Sequence, residues 1–239
     1  MNNSLETLID IWFCDVDATE CDDDEIDSIL SPGEKARAKR FAFDHLRRRY
    51  RICHAALRKV IATYMDQDPS DLNIETLEHG KPRISGGPDF NMSSSGPMLL
   101  IGIGEEVDLG VDVESIKEMV DMEQLAGRYF SQIERAELDL LPRSELLSAF
   151  FRIWARKEAV TKAVGLGLNM DLTSFSVPTD DMSVCSRVDR SDQFPSRSDW
   201  FIRPFKLFDR AEAAIAASKP VDIAKRFRIG HGIQWAEDN

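Results

Sequence analysis

Phe150-Phe-Arg-Ile-Trp-Ala-Arg-Lys-Glu-Ala-Val-Thr-Lys-Ala-Val-Gly-Leu-Gly167 is the stretch around which the chain is organised. At about 100° per residue, Phe150, Ile153, Trp154, Val160 and Val164 fall on one side of a helix, which predicts a core-facing stripe. Lys157 lies near the centre of that stripe, where an ammonium is costly unless an anion meets it. Glu158 and Lys162 sit one turn apart on the flank, the spacing of an ion pair contributing about 0.2–0.5 kcal/mol. The plain reading is a buried helix carrying that pair, with Lys157 snorkelling past the core edge. Gly165-Leu-Gly167 ends the helix as a glycine cap.

Upstream, Val107-Asp-Leu-Gly-Val-Asp-Val-Glu114 alternates as a strand, with Leu109, Val111 and Val113 on one face and Gly110, Asp112 and Glu114 on the other. Gly110 leaves open space beside the two carboxylates, which repel each other unless a cation sits between them. With Glu158 they compose an oxygen-only set suited to a hydrated divalent ion that carries phosphate.

A chain of 239 residues accommodates one sizeable core or two small lobes, and 43% apolar with 30% charged residues is ordinary for a soluble globular protein. The net charge of -12 argues against general binding to nucleic acid or anionic membranes. The opening residues Met1 to Thr7 carry no basic leader, and no apolar run reaches the about 18 residues that a membrane span needs. The expected compartment is the cytoplasm. Cys14, Cys21, Cys53 and Cys185 have no metal or redox spacing, which predicts scattered reduced thiols.

Ile9 to Cys14 reads as a first strand, and Asp22-Asp-Asp-Glu25 as a solvated loop or helix start. Ser31-Pro-Gly-Glu34 opens a helix, with a capping serine and proline at its first position. Between Glu34 and Arg51 eight cations face two carboxylates, a local charge of +6. Leu46, Tyr50, Cys53, Leu57, Val60, Ile61 and Tyr64 keep helical period, so the arginines at 47–51 begin a long amphipathic helix. Its basic face is either solvated or an anion cradle in which guanidinium forks grip phosphate. His79-Gly-Lys-Pro-Arg83 is a turn bearing two cations. Phe90 to Gly96 is a small-residue segment that caps a loop or binds an anion.

Met98 to Ile103 is an apolar strand expected to form a hairpin-like pair with Val107 to Glu114, and a lobe boundary is placed near Glu105 to Asp108. Met122 to Leu141 reads as one or two short helices and Leu172 to Val177 as a strand. Trp200 to Phe208 and Ala211 to Ala217 read as closing strands of a second sheet. The tail from Lys219 carries no legible chemistry.

Gly80-Lys-Pro82, Phe90-Asn-Met-Ser93, Gly110-Val-Asp-Val-Glu114 and Trp154-Ala-Arg-Lys-Glu-Ala-Val-Thr-Lys162 stand in the order and spacing of the 4'-phosphopantetheinyl transferase superfamily, which the chain resembles between residues 30 and 178. Each piece alone is weak; the ordered set is specific. The match is with the monomeric, two-lobed branch that activates surfactin-type synthetases. It implies an α+β fold of two similar lobes, each a small antiparallel sheet packed on a long helix, with the active site in the cleft between residues 1–106 and 107–239. The implied activity is magnesium-dependent transfer of the phosphopantetheine arm of coenzyme A (CoA) to a serine of an acyl or peptidyl carrier protein, releasing adenosine 3',5'-bisphosphate.

Carried over by position, Asp112, Glu114 and Glu158 would hold the magnesium ion, and Glu158 or Lys162 would help deprotonate the serine. Arg49, Lys81, Pro82, Ser93 and Ser94 match positions that hold the CoA nucleotide, its 3'-phosphate included. Arg37 and Arg40 fall in the basic region beside it, and Lys157 joins Lys162 in offsetting diphosphate charge. Ser94 is a departure, because the family pattern F-N-x-S-H-[ST] has histidine there. A hydroxyl keeps one donor but lacks the imidazole, so weaker CoA binding or altered recognition of the adenine end is expected. Two rival readings are a degenerate homologue that binds CoA or a carrier without transfer, hinted at by Ser94 alone, and another magnesium-dependent phosphate transferase, which fits the carboxylates but not the ordered motifs. Because carrier proteins of this family's systems are acidic like this chain, docking is expected on a local patch, with Arg128, Tyr129 and Phe130 as candidates.

Overall fold

The computed structural model describes residues 6–180, 184–196 and 198–238; Met1 to Leu5, and part of the polar stretch 179–199, lie outside the described residues. In chain order the first elements are strand β1 (Thr7–Asp15), helices α1 (Asp23–Ile29), α2 (Pro32–Ala38) and α3 (Asp44–Met65), and strands β2 (Ile74–Thr76), β3 (Pro82–Ile84), β4 (Asp89–Ser95), β5 (Met98–Gly104) and β6 (Leu109–Ser115). Helices α4 (Met122–Tyr129), α5 (Gln132–Asp139) and α6 (Arg143–Val164) follow, then strands β7 (Phe175–Ser176), β8 (Ser186–Arg187), β9 (Asp189–Arg190), β10 (Phe201–Phe205), β11 (Ala211–Ala217), β12 (Val221–Ile229) and β13 (Trp235–Glu237).

The fold is α+β, with two main sheets of order β13-β12-β1-β5-β4 and β6-β11-β10-β8. Among the described residues every strand pair is antiparallel except β1 with β12. Alternation along β1 explains how the first sheet is covered on both faces. Trp12, Cys14 and Val16 join the cluster formed with α3, whereas Ile9 and Ile11 face the second sheet with Leu109, Val111, Val113 and Ile215. The run Met98-Leu-Leu-Ile-Gly-Ile-Gly104 is continuously apolar for the same reason, since both its faces are buried. Gly102 makes room for the facing strand: a Cβ there would lie 2.6 Å from Val111 Cγ1.

Helix α6 lies on the outer face of the second sheet, where Ala214 and Ala216 of β11 join its cluster. It is buried on nearly every side, wider than the predicted stripe, because α4, α5 and the segment after Gly165 cover its back. Gly165 ends it in the left-handed region at φ 80°, its N–H donating to Thr161 O at 3.0 Å, as a glycine cap should.

Three expectations need correcting. Met98 to Ile103 makes its hairpin with β4 and not with β6, which pairs β11 in the other sheet; the tight turn at Gly96-Pro97 joins β4 to β5. Leu172–Ser174 is a short 3-10 helix, with only Phe175 and Ser176 in a strand. The tail, read as carrying no chemistry, is structural: β12 pairs with β1 and β13 with β12, which builds both strands into the first sheet. Phe227 stacks on Trp12 at 4.1 Å between ring centroids, and Trp235 meets it edge-on at 4.9 Å, which gives the tail its apolar anchor. Among the described residues no helix is long and apolar enough to cross a membrane, and the four cysteines are free thiols.

Candidate active site

Strands β4 and β6 are edge strands of different sheets, and their side chains close the seam between them. Asn91 Oδ1 accepts from Val111 N at 3.0 Å, Ser93 donates to Asp112 Oδ1 at 2.7 Å, and Ser95 donates to Glu114 Oε2 at 2.7 Å. Residues 90–95 of this segment are thus strand, and the alternate side chains Asn91, Ser93 and Ser95 reach β6. The reading of this segment as a loop cap or anion binder missed the strand, because three consecutive serines hide the alternation.

Asp112 and Glu114 share a face of β6 with Gly110, as predicted. The space beside Gly110 is filled, however: an added Cβ would stand 2.1 Å from Ala159 O and 2.4 Å from Ala163 N. Glycine here sets how closely α6 approaches, and so brings Lys162 to the strand. Its Nζ donates to Asp112 Oδ1 at 2.6 Å and to Val111 O at 3.3 Å. Lys162 therefore turns to the strand carboxylate and not to Glu158, the expected surface partner, because Asp112 is 3% exposed and would otherwise be a buried charge without a cation.

The carboxyls are electrostatically linked. Burial raises Asp112 above the usual range against the pull of Lys162 and Ser93. Burial and then the Asp112 charge raise Glu114, and the same two causes raise Glu158. Asp112 Oδ2 is buried without a hydrogen-bond partner, an acceptor of the kind a cation satisfies. The donor chemistry fits a hard cation, but among the described residues no three such side chains are drawn into a preassembled coordination shell. Lys162 and Ser93 share Asp112 Oδ1, and Ser95 holds Glu114 Oε2, which leaves Asp112 Oδ2 unmatched.

Glu158, Thr161 and Lys162 line a cavity of about 360 Å³ together with His79, Lys81, Pro82, Met92, Tyr129, Met170 and Leu172. Lys81 reaches across to α6, where Nζ donates to Ala163 O at 2.8 Å and offsets the negative helix end. Burial lowers its ammonium below the usual range. Arg49 and Ser94 line a separate cavity beside α3, and Arg49 is paired with Asp17. Arg37 lies over the Tyr50 ring at 6.0 Å.

Two expected site residues are placed elsewhere. Lys157 is 1% exposed and donates to Glu134 Oε2 at 2.9 Å, Leu172 O at 2.8 Å and Phe175 O at 2.7 Å, which uses all three of its N–H groups inside the core. It does not face the cavity; the anion its position required is Glu134, buried at 0% exposure, which also closes the capping box of α5 and accepts from Val177 N. Phe130 is 1% exposed and belongs to the core, packed on Phe150. Of the docking candidates, Arg128 remains at the surface and Tyr129 at the cavity wall.

The 4'-phosphopantetheinyl transferase superfamily model matches residues 108–217, a span that contains β6, α6 and β11. The chain is 32% identical over 169 residues to the 4'-phosphopantetheinyl transferase HetI of Nostoc sp., a match covering 69% of this chain and 71% of HetI. It is 33% identical over 152 residues to the 4'-phosphopantetheinyl transferase Sfp of Bacillus subtilis, covering 63% and 66% of the two chains. It is 39% identical over 90 residues to the 4'-phosphopantetheinyl transferase AcpT of Salmonella typhimurium, covering 37% and 47%. The chain belongs to the 4'-phosphopantetheinyl transferase superfamily.

Proposed function

We propose that this protein transfers the 4'-phosphopantetheine arm of CoA to a serine hydroxyl of an acyl or peptidyl carrier protein and releases adenosine 3',5'-bisphosphate. The observation that carries this reading is Lys162 on Asp112, beside Glu158, at a cavity that also takes in Lys81 and Pro82. Attack at phosphorus needs positioning and charge compensation more than covalent chemistry. Lys162 places an ammonium where a diphosphate would gather charge, and Lys81 brings a second cation to the same cavity. Glu158, its carboxyl raised by burial and by Asp112, is suited to take the proton of the incoming serine, help of about 10²- to 10⁴-fold.

Asp112, with its unpartnered Oδ2, Glu114 and Glu158 would hold a magnesium ion, which supplies charge neutralisation on the diphosphate when bound. Tyr129, Met170 and Leu172 give the cavity an apolar wall suited to the pantetheine arm. We place the site in a cleft between two lobes, one of residues 1–106 joined by β12 and β13 and one of the remainder from 107, acting as a monomer in the cytoplasm.

Incubating an apo carrier protein with CoA, Mg²⁺ and the enzyme, followed by intact-mass spectrometry, tests the proposal. A gain of one phosphopantetheine on the carrier is expected. CoA binding without any mass gain would instead favour the degenerate homologue.

A further inference from the structure

Along β4 the side chains alternate, so Ser93 meets Asp112 while Ser94 turns the other way. Ser94 opens into a cavity of about 310 Å³ lined also by Arg49, Tyr50 and His54 of α3. Met92 lines both this cavity and the one holding Glu158 and Lys162, so the two are neighbours.

His54 is held in place from behind. Its ring lies 4.1 Å from that of Tyr50, and Nδ1 is 3.4 Å from Glu34 Oε1. Burial alone would push Glu34 up, but hydrogen bonds from His54, Ser31 and Arg58 outweigh it and hold the carboxyl down at about 2. The carboxylate contact occupies Nδ1 and leaves Nε2, the other ring nitrogen, for a ligand. Arg49 adds a guanidinium whose partner Asp17 is half-exposed, a surface pair that exchanges at little cost.

A guanidinium, an imidazole and a hydroxyl around one cavity make a donor set for a compact dianion. CoA carries two anionic groups, the diphosphate and the 3'-phosphomonoester; the family resemblance implies that Arg49 and the Ser93 segment hold the nucleotide with its 3'-phosphate, and Arg49 and Ser94 line this cavity. Resting on the transferase reading, we infer that His54 is the residue that grips the 3'-phosphate of CoA, supplying from α3 the imidazole that Ser94 does not bring from β4.

Calorimetry with adenosine 3',5'-bisphosphate and adenosine 5'-monophosphate reads this directly, since the two ligands differ only in the 3'-phosphate. His54→Ala is expected to weaken the bisphosphate about tenfold, the value of one charge-assisted hydrogen bond, and to leave the monophosphate within about twofold. Ser94→His in that background should recover most of the loss. If His54→Ala melts, His54→Gln, which keeps size and one donor, should still lose about threefold for the bisphosphate alone. Equal losses for both ligands, no loss in either variant, or a wild type without preference for the bisphosphate overturns the inference. A wild type that modifies its carrier yet shows any of these results sinks only the role of His54; absence of carrier modification sinks the transferase reading itself.

Discussion

Asp112 is asked to do more than any other side chain in the site: one oxygen is shared by Lys162 and Ser93, and the other is buried and unmatched. Asp112→Ala is expected to abolish carrier modification, because it removes the partner that fixes Lys162 together with the unmatched acceptor; Lys162→Ala should leave a measurable trace, since Lys81 still supplies a cation. Turnover near the wild-type level in Asp112→Ala, read by intact mass, would show that the carboxylates are bystanders. The raised carboxyls also predict a pH dependence. A carboxyl raised on folding contributes stability below its unfolded pKa, about 4.3 for glutamate, and that contribution is lost as pH climbs through the folded value. Glu158→Gln removes the loss. Without divalent ions the variant should melt above the wild type at about pH 8, and the gap should close towards about pH 4. A gap that stays constant across that range counts against burial as the cause.

Helix α6 and strand β6 are set against each other by what is missing from Gly110 and by what Lys157 holds behind. A methyl group at position 110 would meet helix backbone, which cannot step aside, so Gly110→Ala should lie at the upper end of the about 1–3 kcal/mol that overpacking costs and should weaken catalysis by moving Lys162. Urea unfolding and activity measured on the same preparation check both halves. Lys157 and Glu134 pin the segment after Gly165 to the back of the helix through Leu172 O, Phe175 O and Val177 N. Either Lys157→Met or Glu134→Gln alone should lower unfolding free energy by about 3–5 kcal/mol by stranding a buried group, and the double variant of Lys157→Met with Glu134→Gln, whose amide oxygen can still accept from Val177 N, should lose less than the sum of the two. Additive losses in the double variant would mean that the pair is not coupled.

The same elements mark what the sequence could convey. Period two at Leu109 to Glu114 and period 3.6 at Phe150 to Val164 are local, so both faces were readable before any fold was known. The need of Lys157 for an anion was equally legible, but its partner on α5 was not, because a capping glutamate looks the same whether or not a lysine reaches it. Pairing between β6 and β11 is non-local, and the nearer strand β5 was mistaken for the partner. The basic run near Arg49 declared its charge and concealed its targets, since Asp17, Asp23 and Asp27 meet those arginines only in the fold.

Over the whole molecule, β12 is held between β13 and β1, so the tail is an interior part of the first sheet. Truncation after Ser218 should strip Phe227 and Trp235 from Trp12 and leave β1 unpaired on one side. The shortened chain is expected to be insoluble or to lose cooperative melting by circular dichroism. A soluble truncated form with a sharp transition would show that the first sheet stands without its closing strands. The parallel pairing of β1 with β12 has a kinetic side as well. During synthesis β1 emerges well before β12 and must wait, one edge bare, until the residues through β12 have left the ribosome. Such an edge is an aggregation hazard, so this protein should gain from a chaperone that shields β1 until β12 arrives.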